Sequence, residues 1–231
     1  MTQKSNFSPY LYILPAAIII IAFRLIPIIF SFILSFFKWT IKGPEKFIGL
    51  TNYSQLLRDP GFWQSLTNTF YLVIFVVPIT LILSLLFASL LNRTKKLSGL
   101  FRTTYFIPTV TSLVAISIVW KLIFSPQNGL MNHILGFFGI HGLGWLSESR
   151  GIFTLLFNSI GIEIPTFLGG PSLALFAIII VCIWRSLGYN TIIYLAGLQN
   201  IPEVYYEAAE IDGASKIKQF FKITIPLISP T

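Results

Sequence analysis

Four stretches of this chain are each long and apolar enough to cross a lipid bilayer, and none of them holds an aspartate or a glutamate. They are residues 11–37, 69–91, 104–124 and 172–198. A hydrocarbon core about 30 Å thick is spanned by about 20 helical residues. Backbone polar groups inside it must pair within the segment, which leaves the helix as the form such runs take. The expected fold is therefore all-α and polytopic, with four transmembrane helices present. Each run carries a proline or an internal glycine (Pro15 and Pro27, Pro78, Pro108, Gly188 and Gly197). Membrane helices tolerate these because neighbouring groups satisfy the freed carbonyls.

Composition agrees. Of 231 residues 55% are hydrophobic and 10% charged, where a soluble domain carries about 25% charged residues. The net charge of +8 is spread over short loops without a basic stripe, a pattern that speaks against nucleic acid. Cys182 is a lone thiol in an apolar run. His133 and His141 lie in a Gly-rich loop without ligand-spaced partners, so neither a disulfide nor a metal is expected, and no cofactor. The first run is too long for a cleavable leader and is read as a retained anchor.

Orientation follows from the loop 92–103, which holds Arg93, Lys95, Lys96 and Arg102 and no acid. The positive-inside rule places it in the cytoplasm, with the N-terminus and residues 199–231. The loops 38–68 and 125–171 then face outward. In the first, residues 47–53 with Phe62 and Trp63 are expected as an interfacial helix. In the second, residues 152–157 are expected as an amphipathic element on the outer surface. Arg24 and Lys121 are read as local snorkelling or capping residues. For mid-span Arg185 a polar pathway or an interhelical pair stands level with snorkelling or the capping of carbonyls freed near Gly188.

The polar segment 200–226 is expected to be a cytoplasmic helix–turn–helix. Pro202 suits a first helical turn, and Glu203, Glu207 and Glu210 fall on one acidic face. Val204, Ala208 and Ile211 fall on an apolar neighbour, and Gly213 supplies the left-handed residue that ends the helix. Ser215 caps a second helix, with Ile217, Phe220, Phe221 and Thr224 as its stripe, and Pro226 is expected to break it. A helix on a membrane surface usually carries basic residues; acids and small alanines suit a protein partner better.

The segment Glu207-Ala208-Ala209, then Gly213, then Ile223-x-Ile225-Pro226, resembles the EAA signature of permease subunits of binding-protein-dependent ABC importers. Ile225 stands where the family usually has Leu. Glu-Ala-Ala-Glu-Ile-Asp-Gly-Ala, preceded by residues 196–202, resembles the carbohydrate-uptake branch in particular. The stretches 48–53, 68–70, 105–108, 128–132 and 183–189 agree. The resemblance implies a type I ABC importer permease fold of six spans. Residues 1–65 would be the N-terminal span and outer loop, and residues 66–231 the permease domain. It implies a bacterial inner-membrane protein that is not itself an enzyme and carries a share of the path for a sugar, polyol or glycoside. The implied partners are a dimeric cytoplasmic ATP-binding subunit, a second and heteromeric permease subunit, and an extracytoplasmic solute-binding protein. The implied ATPase contacts are Glu207, Ala208, Ala209, Asp212, Gly213, Ile223 and Pro226. Relative to the family, residues 147–165 read as an insertion, and two further spans are expected beyond Thr231. The alternatives are a secondary transporter or channel, against which the absence of intramembrane acids counts, and a non-transporting scaffold.

Overall fold

A computed structural model describes residues 8–93, 107–140, 142–165 and 168–228. The chain divides into two compact units, Met1–Leu66 and Thr67–Thr231, and the boundary falls within one long helix.

In the first unit, α1 (Ser8–Ile20) runs through a π turn, Ile21–Leu25, into α2 (Ile26–Leu34). The N–H of Ile26 bonds the carbonyl of Ile21, five residues back. The next residue, Pro27, has no N–H to give, and its ring crowds the carbonyl four residues back. The wide turn relieves that crowding, so the helix continues as an apolar span from Tyr10 to Leu34. Arg24 lies within the π turn.

A departure from the all-α expectation follows. Strands β1 (Phe37–Thr40) and β2 (Gly43–Phe47) form a two-stranded antiparallel hairpin. Ile41 and Lys42 turn the chain between them, and Gly43, at φ +106°, opens β2. The interfacial helix expected over 47–53 starts later, as α3 (Thr51–Arg58). Asn52 stitches these pieces together, its Nδ2 donating to the carbonyls of Ser35 (2.8 Å) and Phe37 (3.0 Å). The Tyr53 and Ser35 hydroxyls meet at 2.6 Å. The 34-residue helix α4 (Pro60–Arg93) then begins with proline in its first turn, and Asp59 accepts from the Gly61 N–H at 2.8 Å. That is the preferred chemistry of a helix start.

The second unit holds most of α4, then α5 (Leu113–Ile123), α6 (Leu130–Gly136), α7 (Ile152–Ser159), α8 (Leu173–Gln199), α9 (Val204–Ile211) and α10 (Lys216–Gln219). After α10 come a π turn, Phe220–Thr224, and α11 (Ile225–Ile228). Among the described residues three helices are long and apolar enough to cross a membrane: Tyr10–Leu34, Pro60–Asn92 and Leu173–Gln199. The run 104–124 is not one helix. A single turn at 107–110 ends at Thr111, and Ser112, extended at ψ 132°, opens α5. The Ile107 carbonyl accepts from both the Thr111 N–H (3.1 Å) and the Thr111 hydroxyl (2.7 Å).

α8 is held to the rest of the unit at both ends and in the middle. Leu173 and Ala177 join Phe124 and Trp145 in one buried cluster, while Leu195 and Leu198 join Ala88, Leu91 and Ile228 in another. Between them the buried Ser84 hydroxyl donates to the Leu187 carbonyl (3.2 Å), which also accepts from Thr191 (2.7 Å). Small buried residues, Ser84 and Gly188 among them, mark the interface, which is how helices pack closely where lipid removes the hydrophobic drive between them.

Candidate functional site

The segment 200–226 folds as the helical hairpin the sequence predicts, with two corrections. α9 begins at Val204, so Pro202 sits just outside it, and the Glu203 carbonyl accepts the first bonds, from Tyr206 (2.9 Å) and Glu207 (3.1 Å). The turn that follows is closed at Gly213, φ +70°. The Gly213 N–H reaches the Glu210 carbonyl at 3.0 Å, and the Ala214 N–H reaches that of Ala209 at 2.8 Å. These are the paired bonds of a Schellman ending, which needs a left-handed residue at this position. Asp212 takes part through its backbone, its N–H bonding the Ala208 carbonyl at 3.1 Å. Ser215 caps α10, accepting from the Lys218 N–H at 3.3 Å.

The second correction concerns Pro226, which bends the returning helix instead of breaking it. The N–H of Ile225 bonds the Phe220 carbonyl, five residues back, and proline follows immediately, as at Pro27. The π turn again opens the space the ring needs. Ile223 is half-buried inside that turn and Pro226 is exposed.

Three side-chain links hold the hairpin. Glu210 and Lys216 pair across the turn, and the hydrogen bond from Lys216 holds the Glu210 carboxyl below its ordinary range. The Gln219 side chain, itself buried, donates to the Ala214 carbonyl at 3.2 Å. The Tyr206 hydroxyl meets that of buried Thr224 at 2.9 Å. This last link joins α9 directly to the π turn. None of the three links is signalled by the sequence motif. Glu210–Lys216 is in principle readable as opposite charges flanking a turn; Tyr206–Thr224 bridges 18 positions without any local periodicity.

The two faces of α9 differ. Glu203, Glu207 and Glu210, with Tyr206, Lys216, Gln219 and the Ser89 and Asn92 end of α4, line a cavity of about 370 Å³. On the neighbouring face Val204, Tyr205, Ala208 and Ile211 are exposed, Ile211 at 87%. Ala209 is half-buried. The acids thus open onto a recess that Leu198 and Phe220 also line, beside an apolar ridge. Among the described residues no group of three or more His, Cys, Asp or Glu is placed to hold a metal.

Arg185 is exposed on α8, together with Tyr189 one turn on. It does not cap the carbonyls near Gly188. Those of Leu187 and Ser186 are taken by the Ser84 and Thr191 hydroxyls and by Asn190 Nδ2 (2.8 Å). The basic side chains of Lys95, Lys96 and Arg102, and His141, lie outside the described residues.

Residues 13–231 match the family model described as "Binding-protein-dependent transport system inner membrane component". The chain is 40% identical to the lactose transport system permease protein LacF of Rhizobium radiobacter, over 99% of this chain and 72% of that protein. It is 34% identical to the trehalose/maltose transport system permease protein MalF of Thermococcus litoralis, over 96% of this chain and 68% of that one. Among solved structures it is similar to a chain of a bacterial ABC transporter involved in import of the acidic polysaccharide alginate. That match has a TM-score of 0.71 and 22% identity, over 97% of this chain and 69% of the other.

Proposed function

This chain belongs to the family of binding-protein-dependent transport system inner membrane components, and on that premise we propose that it is a permease subunit of an ATP-driven sugar importer, driven through the hairpin 200–226. The solute class follows from relatives that are permeases for lactose and for trehalose/maltose. The observation that carries the coupling role is the hairpin's construction. A short helix, clamped at its turn and tied to the π turn, presents Val204, Tyr205, Ala208 and Ile211 outward, with Glu207 at the edge of the recess.

A cytoplasmic ATP-binding subunit docks on this surface. Ile211 and Val204 are its apolar anchors, Ala208 allows close approach, and Glu207 meets a basic side chain at the rim. Asp212 and Gly213 shape the turn, while Ile223 and Pro226 act behind the contact, in the turn that passes movement to the following helix. ATP hydrolysis belongs to that partner. The hairpin and N-terminus are cytoplasmic, and a solute-binding protein delivers sugar from the other side, where an acidic-polysaccharide importer of the same fold has been captured with its periplasmic protein. A second permease subunit completes the path. Arg185 and Tyr189, exposed on α8 without an ion-pair partner among the described residues, face that path, since a charge at this depth is not left against lipid.

The test is co-purification in detergent with the host's candidate ATPase subunits. The wild-type chain retains an ATPase, and Glu207→Lys, which places a like charge against the partner's basic group, loses it. Retention by both chains at equal yield excludes Glu207 from the contact.

A further inference from the structure

Helix α6 (Leu130–Gly136) has apolar residues on two neighbouring faces, and only one is covered. Met131 and Leu135 pack on the cluster of Phe124, Trp145, Leu173 and Ala177. On the adjacent side Leu130 and Ile134, with Phe137 and Phe138 in the turn just past the helix end, continue one apolar stripe at i, i+4, i+7 and i+8. All four are exposed, Phe137 at 79% and Phe138 at 77%. The stripe continues past the helix end to exposed Ile140, where Gly139 (φ +78°) turns the chain and the Ile140 N–H bonds the Leu135 carbonyl at 3.1 Å. The His133 ring lies edge-on to Phe137 at 5.5 Å.

Two observations fix what covers this face. The first is depth. The cluster beneath α6 is made from the ends of apolar helices: Phe124 directly follows α5, and Leu173 and Ala177 belong to the first turns of α8. The link from α5 is a tight turn in which the Gly129 N–H bonds the Ser125 carbonyl at 3.0 Å. A Cβ at Gly129 would stand 2.3 Å from that carbonyl oxygen. α6 is therefore pinned at the level where the membrane-crossing helices end, and the exposed apolar surface of α5 (Val119, Leu122) leads up to it. The second is charge. From Pro126 to Ser147 there is no Asp, Glu, Lys or Arg, whereas docking faces between soluble proteins keep a polar, charged rim. The stretch lacks the basic face that many membrane-surface helices carry, so buried apolar area alone would hold it at the boundary between headgroups and acyl chains.

We propose that α6 and the Phe137–Phe138 pair are a membrane-interface anchor, the exposed stripe seated in the headgroup–acyl boundary of the surrounding bilayer. The anchor stands on the chain's membrane location and not on the role given to the hairpin 200–226. It holds the outer end of α8 against the bilayer through the shared cluster, and because it is uncharged its seating is the same in zwitterionic and anionic lipid.

The experiment is spin-label accessibility on the full chain in phosphatidylcholine nanodiscs, with Cys182→Ala as background and single labels at Phe137→Cys and Phe138→Cys. Ser149→Cys, exposed on the charged loop beyond, is the water-facing reference. Collision with oxygen exceeds collision with a water-soluble nickel chelate at both phenylalanine positions, and the order reverses at Ser149. Nickel exceeding oxygen at both positions makes the face aqueous and overturns the anchor. A label shielded from both relaxants means protein covers the stripe, and overturns it equally. Should either substitution disturb folding, Leu130→Cys and Ile140→Cys report on the same stripe.

Discussion

At the scale of single residues, the hairpin depends on a few groups whose removal has calculable effects. Gly213 sits at φ +70° with open space around it, so Gly213→Ala meets no clash and costs only the left-handed backbone, about 1–2 kcal/mol. A fall in thermal midpoint with the ATPase still bound is the expected result. Tyr206→Phe removes one hydroxyl and leaves Thr224 buried without its partner, a loss of about 1–3 kcal/mol. The phenylalanine keeps the packing, so a double-mutant cycle with Thr224→Val isolates the bond. In the loop between α6 and α7, the Arg150 side chain hydrogen-bonds the Glu148 carboxyl at 2.7 Å and pushes its pKa down to about 2. A lowered folded-state value stabilises the loop above the ordinary carboxylate range and loses that contribution as pH falls through about 2. Carboxyl chemical shifts of Glu148 are expected to stay those of the ionised form at pH 4, and to move upward in titration once Arg150→Gln removes the partner.

At the scale of elements, proline placement separates what is readable from what is not. The long apolar runs announce helices because lipid permits little else, and Gly213 with Ser215 announces a turn and a cap in local chemistry alone. The π turns before Pro27 and Pro226 are not readable, since proline predicts a defect without saying whether the helix stops or widens. In both places the ladder shifts to a five-residue bond just ahead of the ring. The interruption at Thr111–Ser112, where Ser112 is extended, is one that hydropathy does not register. The β-hairpin over 37–47 hides for a different reason: Pro44 within β2 is a residue that argues against a strand, and here it sits on a two-stranded ribbon with free edges. Pro226→Ala restores the missing N–H, and the π turn is expected to close to an α turn. Amide exchange across residues 220–226 then slows, and ATP-driven uptake falls while ATPase binding stays. Unchanged exchange in Pro226→Ala refutes proline as the cause of the turn.

At the scale of the molecule, the second unit is one long helix, α8, held at its two ends and its middle, with the hairpin 200–226 continuing from one end and α6 and α7 gathered at the other. Burial along the crossing helices Pro60–Asn92 and Leu173–Gln199 is slight, 11% and 22%, so most of their surface faces away from the rest of the unit. The EAA segment is legible as a motif, but its face is not. The motif points to Glu207 as the leading contact, whereas the fold turns the acids toward a recess and leaves Ile211 and Val204 outermost. This ridge is the surface proposed to receive the ATPase. Cysteine cross-linking from Ile211→Cys, in a Cys182→Ala background of the assembled complex, tests it directly. The predicted result is a cross-link to the ATP-binding subunit that changes in yield between nucleotide-free and ATP-bound states, with none from Phe138→Cys. An assembled complex in which neither Ile211→Cys nor Ala208→Cys cross-links in any nucleotide state would contradict the claim.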